Sequence, residues 1–290
     1  MRSSRCREWK CFSEFKVRPE GFTNESPMSV WSDLCNCQGK IATLVAAGLI
    51  ILFLLGSLRV IHCQSPQVIE VAKFSTENVQ DILPAGWKPL VFKKIKKHTL
   101  YKLVKDGDIT VVKAISHASA SGLTRQITLN PREYPIINWR WKVENILEKG
   151  DVHSKKGDDY PARIYITFEY EASRLSLPER AKYQAMKLIY GQYPPHGAIN
   201  YIWESRAPIG TIVPNPYTSR VMMIVVESGA EKLHQWVDEE HDVYEDYKKA
   251  FGEEPPLISG VAIMTDTDNT GESATAYYGD IQFKNGPTGP

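Results

Sequence analysis

Of the five cysteines in this 290-residue chain, four (Cys6, Cys11, Cys35 and Cys37) stand before residue 38 and only Cys63 follows. The region from Gln64 onward therefore has no disulfide of its own, and any domain there must be held by its apolar core. At about 220 residues that is routine. The C-x-C at Cys35 and Cys37 has no second ligand pair, and none of the histidines forms an H-x-x-x-H motif with a carboxylate beside it, so no zinc site is expected. Charge of one sign is also missing. Eight of the 35 Lys and Arg and five of the 34 Asp and Glu precede Gln64, which leaves 27 against 29 in the remainder. A balance of −2 gives no electrostatic footprint for nucleic acid, and none is expected as a partner. Repeats, glycine-rich runs and low-complexity tracts are absent as well, which excludes solenoids and fibrous classes.

What is present begins with one long apolar run. Ile41–Leu58 reads IATLVAAGLIILFLLGSL, without a charge or a proline. As a helix it would be about 27 Å long, close to the ~30 Å hydrocarbon thickness of a bilayer, and it shows no polar face. Residues 1–40 hold Arg2, Arg5, Arg7, Lys10, Lys16, Arg18 and Lys40, whereas Arg59 and Lys73 are the only basic residues soon after the run. The positive-inside rule puts 1–40 in the cytoplasm, 41–58 across the membrane, 59–67 in a linker and 68–286 on the outer side. A signal-type leader is the alternative reading, and a start at Met28 would shorten the leader. The sequence RVIHCQSP after the run offers no small-x-small cleavage site. Under either reading the main domain works in the periplasm or outside a bacterial cell.

Strand-like segments dominate residues 68–286. Val68–Phe74, Leu90–Phe92, Thr99–Lys105, Ile109–Ser116, Leu123–Leu129, Ile136–Val143, Ala162–Tyr170, Ile199–Glu204, Arg220–Glu227, Ser259–Thr265 and Ala274–Phe283 are rich in Val, Ile, Tyr and Thr, with Gly, Pro, Asn and Asp between them. Two helices interrupt the series. Ser176-Leu-Pro-Glu179 is a capping box ahead of an apolar stripe that ends at Gly191. The second helix is expected from about Asp238, with Val243, Tyr244, Tyr247, Ala250 and Phe251 on one face and Gly252 as the stop. Many strands that do not alternate with helices predict a mainly β fold, an antiparallel β-sandwich with two helical insertions.

Four places carry chemistry. The apolar strand ending in Thr265-Asp-Thr-Asp-Asn-Thr270 resembles the nucleophile motif of haloacid-dehalogenase-like phosphatases, but the twenty residues that follow cannot supply the rest of such a domain. Its D-x-D-x-x-G spacing also suits a calcium loop. An EF-hand is excluded because Tyr277 stands where the bidentate Glu belongs, which leaves Asp266, Asp268 and Asn269 as candidate ligands of a looser calcium site. Turn-capping Asp and Asn are the plain alternative. Asp158 and Asp159, just before the strand ARIYITFEY, could bind a cation, serve as acid and base, or pair with Arg163. Trp139-Arg-Trp141 places two indoles on one strand face, either as core or as a stacking platform beside Arg140. Asn200, Trp203, Asn215 and Tyr217 add the amide and aromatic groups that sugar sites use. The run Lys93, Lys94, Lys96 and Lys97, interleaved with Phe92 and Ile95, reads as a solvated edge or turn.

Several segments together resemble a bacterial family of secreted or membrane-anchored proteins known as domain of unknown function 3047. They are Pro84–Trp87, Ala114–Leu123, Trp139–Val143, Gly157–Arg163, Asn200–Trp203, Pro214–Tyr217 and Gly260–Asp280. The resemblance spans about residues 70–285 and implies no particular activity. The ending, a strand, a D-x-D loop and Tyr277-Tyr-Gly-Asp-Ile281, is also similar to galactose-binding-like carbohydrate modules. That second likeness implies a jelly roll that binds glycans and often holds calcium. The function expected is therefore a non-catalytic binding domain for a glycan or similar polyol, using Trp139, Arg140, Trp141, Asn200, Trp203, Asp158, Asp159 and Arg163. The alternatives are a glycan-active hydrolase using Asp158, Asp159 or Asp266, and an envelope structural protein with no small ligand.

Overall fold

The computed structural model describes residues 67–79, 83–190 and 193–286. The chain divides at Gln64 into two units, and every described element belongs to the second, Ser65–Pro290. The apolar run Ile41–Leu58 lies outside the described residues. Among the described residues, no helix is long and apolar enough to cross a membrane.

Among the described residues, thirteen strands form two sheets. The first contains β1 (Val68–Ala72), β3 (Leu100–Asp106), β4 (Ile109–His117), β6 (Ile136–Val143), β11 (Val237–Asp242) and β13 (Ser273–Lys284), in the order β11-β6-β13-β4-β3 with β1 also on β13. The second contains β2 (Lys88–Leu90), β5 (Ala120–Leu129), β7 (Ala162–Phe168), β8 (Ala198–Glu204), β9 (Ile212–Asn215), β10 (Thr218–Ser228) and β12 (Ile258–Asp266), in the order β2-β5-β12-β7-β8-β10-β9. The α-helices among the described residues are α1 (Leu177–Tyr190) and α2 (Val243–Phe251).

The sheets pack face to face because period-two patterning gives each one an apolar side. Ile137, Trp139, Trp141 and Val143 of β6 meet Ile164 and Ile166 of β7, Tyr201 and Trp203 of β8, and Val261 and Ile263 of β12 in one buried cluster. Strand β8 is buried along its whole length because both of its faces are covered. Its inner face meets the first sheet. Its outer face lies in a second cluster with Val152, Tyr160, Ala207, Met223 and Val225.

The expected sandwich is present, with three differences. It is not wholly antiparallel, since β8 and β10 pair in parallel. The long connection between them, which includes β9, lets the chain return in the same direction. Residues 238–242 are not helical either. They form the edge strand β11 against β6, and α2 starts at Val243 with the Asp242 side chain accepting from the Glu245 N–H at 2.9 Å. Strand β9, with its central proline, was not predicted. At the start of α1 the Glu179 half of the expected capping box is formed, with Ser176 N–H and Oγ both donating to Glu179 Oε2 at 3.1 and 2.8 Å.

Candidate functional site

The outward face of the seven-stranded sheet carries the side chains that the sandwich core leaves over. On β7, Ala162, Ile164, Ile166 and Phe168 face inward, so Arg163, Tyr165 and Thr167 face out. On β12 the same alternation turns Ala262, Met264 and Asp266 outward. Arg163 and Met264 are register partners, which sets Asp266 diagonally across from the guanidinium.

Two loops close over this corner. Gly157 begins the first, and its carbonyl accepts from the Asp151 and Asp159 N–H groups at 2.9 and 2.8 Å. A Cβ at Gly157 would lie 2.6 Å from the Asp151 nitrogen, so only glycine allows the approach that aims Asp158 and Asp159 at the sheet. The second loop follows Asp266. It is tied down by Thr267, whose N–H donates to the Ser119 carbonyl at 2.9 Å and whose hydroxyl lies 2.8 Å from Ser116 Oγ. The serines of the Ser116–Ser121 stretch thus form a buried hydroxyl network that supports the loop.

The charged centre is compact. Arg163, only 3% exposed, pairs with Asp266 through Nη2 and stands 3.9 Å from Asp158 through Nη1. Its guanidinium lies 5.0 Å from the Tyr160 ring and 5.5 Å from the Tyr165 ring. Nε and Nη1 have no hydrogen-bond partner. Asp158 accepts from Asn215 Nδ2 at 3.0 and 2.9 Å. Asp159 accepts from the Asn269 N–H, Asn269 Nδ2 and the Thr270 N–H, at 3.3, 3.1 and 2.6 Å. Burial holds the Asp158 carboxyl above its ordinary range, against the pull of Arg163 and Asn215. Burial, followed by the Asp159 charge, does the same to Asp268. One oxygen each from Asp159, Asp266 and Asp268 lies within 4.8 Å of the other two.

Around this centre opens a cleft of about 870 Å³. One wall carries Asp158, Asp268, Asn269, Asn215 and Tyr217, and the other carries Val91, Phe92, Lys93, Lys94 and Ile95. A second depression of about 660 Å³ shares Phe92, Tyr165 and Val221 with it and continues to Tyr170 and Tyr193. The two make one groove across the sheet. Tyr217 and Phe92 stand 56% and 37% exposed at its rim, and the Tyr170 and Tyr193 rings stack with centroids 4.2 Å apart.

The structure brings Asp158, Asp159, Arg163, Asp266, Asp268 and Asn269 together although more than 100 residues separate the two loops. It corrects the tryptophans. Trp139, Trp141 and Trp203 are 3%, 0% and 0% exposed and fill the space between the sheets, Trp141 against Trp203 at 6.0 Å. No ring face is left for a ligand, because the opposing sheet supplies matching aromatic volume. Arg140 lies on the other sheet, 4.4 Å over the Trp236 ring. Asn200 is fully buried beside Met223, with its Nδ2 3.2 Å from the sulfur. Asn269 lies beside the carboxylate cluster, its Oδ1 accepting from the Tyr217 hydroxyl at 2.9 Å and its Nδ2 donating to Asp159 at 3.1 Å. Asp159 joins Asp266 and Asp268 with a third carboxylate oxygen. Lys93 and Lys94 form the expected turn, just after β2, and also line the groove. The outward aromatic groups that line the groove are Phe92, Tyr165, Tyr170, Tyr193 and Tyr217. The pattern of β7, aromatic and polar opposite Ile164 and Ile166, was the signal for Tyr165.

No curated protein matches the chain. Among solved structures it is similar to the family 11 carbohydrate-binding module of cellulosomal cellulase Lic26A-Cel5E of Clostridium thermocellum, at 9% identity and a TM-score of 0.35, covering 76% of this chain and 94% of that one. The family 30 carbohydrate-binding module of cellulosomal cellulase Cel9D-Cel44B of the same organism gives 8% identity, a TM-score of 0.36 and coverage of 75% and 96%. The K1 cleaved adhesin domain of Lys-gingipain from Porphyromonas gingivalis W83 gives 11%, 0.33 and coverage of 76% and 99%. Likenesses at TM-scores of this size are too distant to bear on the chemistry of the groove. The sequence match is of another kind, for residues 85–282 fit the family described as protein of unknown function (DUF3047). That span covers most of the chain and both site loops, and the chain belongs to the DUF3047 family.

Proposed function

We propose that the groove binds a glycan or similar polyol without cleaving it, and that the domain, a jelly roll of the galactose-binding type, does so outside the cytoplasm. One observation carries this reading: a single open groove joins exposed aromatic rings to a converging set of carboxylates, amides and an arginine. Rings that stack on apolar sugar faces and polar groups that read hydroxyls are what an extended polyol needs from a binding surface. Arg163 offers N–H groups without hydrogen-bond partners to such a ligand. The outer location is supported by the apolar run Ile41–Leu58 and the basic residues before it.

Against turnover, the carboxylates are already engaged. Asp266 is paired with Arg163, Asp158 is held by Asn215, and Asp159 is fixed by three N–H donors. The hydrolase alternative has one observation in its favour, the raised carboxyl of Asp158, which suits a general acid.

The test is a glycan panel with the full chain in mild detergent, read by calorimetry and by release of reducing ends. Saturable binding without product is the expected result. Product that disappears in Asp158→Asn would establish the hydrolase instead, and no binding by any glycan would sink both. An alkaline phosphatase fusion after Pro290 should be active in cells, and an inactive fusion of an expressed chain would refute the outer location.

A further inference from the structure

We propose that Asp159, Asp266 and Asp268 hold one divalent cation of calcium's size and oxygen preference. This site goes beyond the glycan reading and does not rest on it.

The geometry comes first. The three carboxylate oxygens lie within 4.8 Å of one another. Oxygens gathered this closely can share one ion, and calcium, which takes oxygens at about 2.3–2.6 Å in flexible geometry, suits carboxylates held by loops. No sulfur or imidazole belongs to the set, which argues for a hard cation over zinc or copper.

Electrostatics make the same demand. Asp158, Asp159, Asp266 and Asp268 meet around one buried cation, Arg163, with Lys93 and Lys94 elsewhere along the cleft. Arg163 contacts Asp158 and Asp266, and no ion pair reaches Asp159 or Asp268 among the described residues. Asp159 and Asp266 are each 1% exposed. Carboxylates gathered out of water repel one another strongly unless a positive charge joins them. The loop is built to keep them together, since the Thr270 and Asn269 N–H groups fix Asp159 while Gly271, at φ +71°, turns the chain.

An independent feature points to a bound oxygen at this place. Arg163 is almost fully buried, lines the cleft with Asp266 and Asp268, and has two guanidinium nitrogens, Nε and Nη1, without hydrogen-bond partners. Buried N–H donors left without acceptors are costly. An oxygen held by the cation, from water or from a ligand, is the acceptor this guanidinium wants.

The experiment uses the full chain, stripped with EDTA, with no sugar present. Calcium chloride alone is titrated calorimetrically, and terbium is added separately with excitation through the tyrosines, since Tyr160 and Tyr165 stand beside Arg163. The wild-type chain should bind calcium with a dissociation constant of about 10⁻³ M or tighter. Terbium should luminesce, and calcium should quench it by displacement. Asp268→Asn alters the most exposed of the three ligands. It should weaken calcium at least tenfold while melting as the wild type does in EDTA, and Asp238→Asn, far out on β11, should bind normally. Absence of both heat and luminescence in the wild type overturns the proposal, as does Asp268→Asn binding calcium like the wild type. If Asp268→Asn also melts early in EDTA, displacement of terbium by calcium in the wild type decides. Because no glycan enters these titrations, their failure leaves the glycan reading untouched, and failure of every glycan leaves the cation site standing.

Discussion

Replacing Arg163 by methionine keeps the length and much of the volume of the side chain and removes its charge. It leaves Asp158 and Asp266, 6% and 1% exposed, facing each other without a counter-charge. Breaking a buried pair by removing one partner costs about 3–5 kcal/mol, most of it the penalty of the stranded charge. For a domain of this size, at roughly 2–4 °C per kcal/mol, that is a fall of about 6–20 °C in melting temperature, measured by circular dichroism in EDTA at pH 7. The pH dependence discriminates further. Without Arg163 the Asp158 carboxyl, already raised by burial, loses a charge that lowers it and holds its proton still more tightly in the folded chain. Stability of the variant therefore falls as pH rises from the ordinary carboxylate value of ~3.9 toward the raised folded value. The deficit should be full at pH 7 and shrink toward pH 4, as Asp158 becomes neutral in the folded chain. Adding Asp158→Asn and Asp266→Asn to Arg163→Met should recover much of the loss at pH 7. A deficit under about 1 kcal/mol at pH 7, or one equally large near pH 4, would show that the charges are solvated and that the buried centre described above is wrong.

Trp141→Ala should lower stability by about 3–5 kcal/mol through the cavity it leaves between the sheets, without changing glycan affinity per folded molecule, as calorimetry on the folded fraction would show. Tyr217→Ala should behave in the opposite way, melting within ~0.5 kcal/mol of the wild type while glycan affinity drops on the order of tenfold. Asp106 is held below the ordinary carboxylate range by the Lys142 ammonium and the Trp236 indole N–H, against some burial. Its folded value is depressed, so its contribution is present above the unfolded value and lost as pH falls through the folded one. Asp106→Asn should thus be less stable than the wild type at neutral pH and equal to it in strong acid, by parallel melts.

Strands and faces were legible where local pattern and burial agree. Strand β6 reads IINWRWKV, and its alternate side chains are indeed buried. The polar run Val237-Asp-Glu-Glu-His-Asp242 carries no such alternation of apolar residues, and its strand character comes from docking on β6. His241 fits because its ring packs against both Trp139 and Tyr201, at 5.3 and 4.9 Å, a tertiary fact invisible in the segment itself. The helical stripe beginning at Val243 is local, so α2 was found and only its start was misplaced. The parallel pairing of β8 and β10 is likewise set by a connection and not by either strand's residues.

The groove divides along the same line. Asp158, Asp159, Arg163, Asp266 and Asp268 could be named one at a time because burying a carboxylate or guanidinium in a sheet protein needs a reason. Nothing in either loop told that both reasons were the same, since the contact between them depends on Thr267 docking on Ser116 and Ser119 and on Gly157 admitting the Asp151 backbone. Tryptophan misled for the complementary reason. A large ring at period two identifies a face, but whether that face meets solvent depends on the partner sheet, and here the partner presents Tyr201 and Trp203. The smaller signal on β7 was the better guide. Arg163, Tyr165 and Thr167 oppose Ile164, Ile166 and Phe168, so the strand itself declares that its polar-aromatic face cannot be core. In a sandwich whose inner face is already filled by isoleucine and tryptophan, an aromatic residue that shares its strand face with a charge, as Tyr165 does with Arg163, is the one turned away from the core.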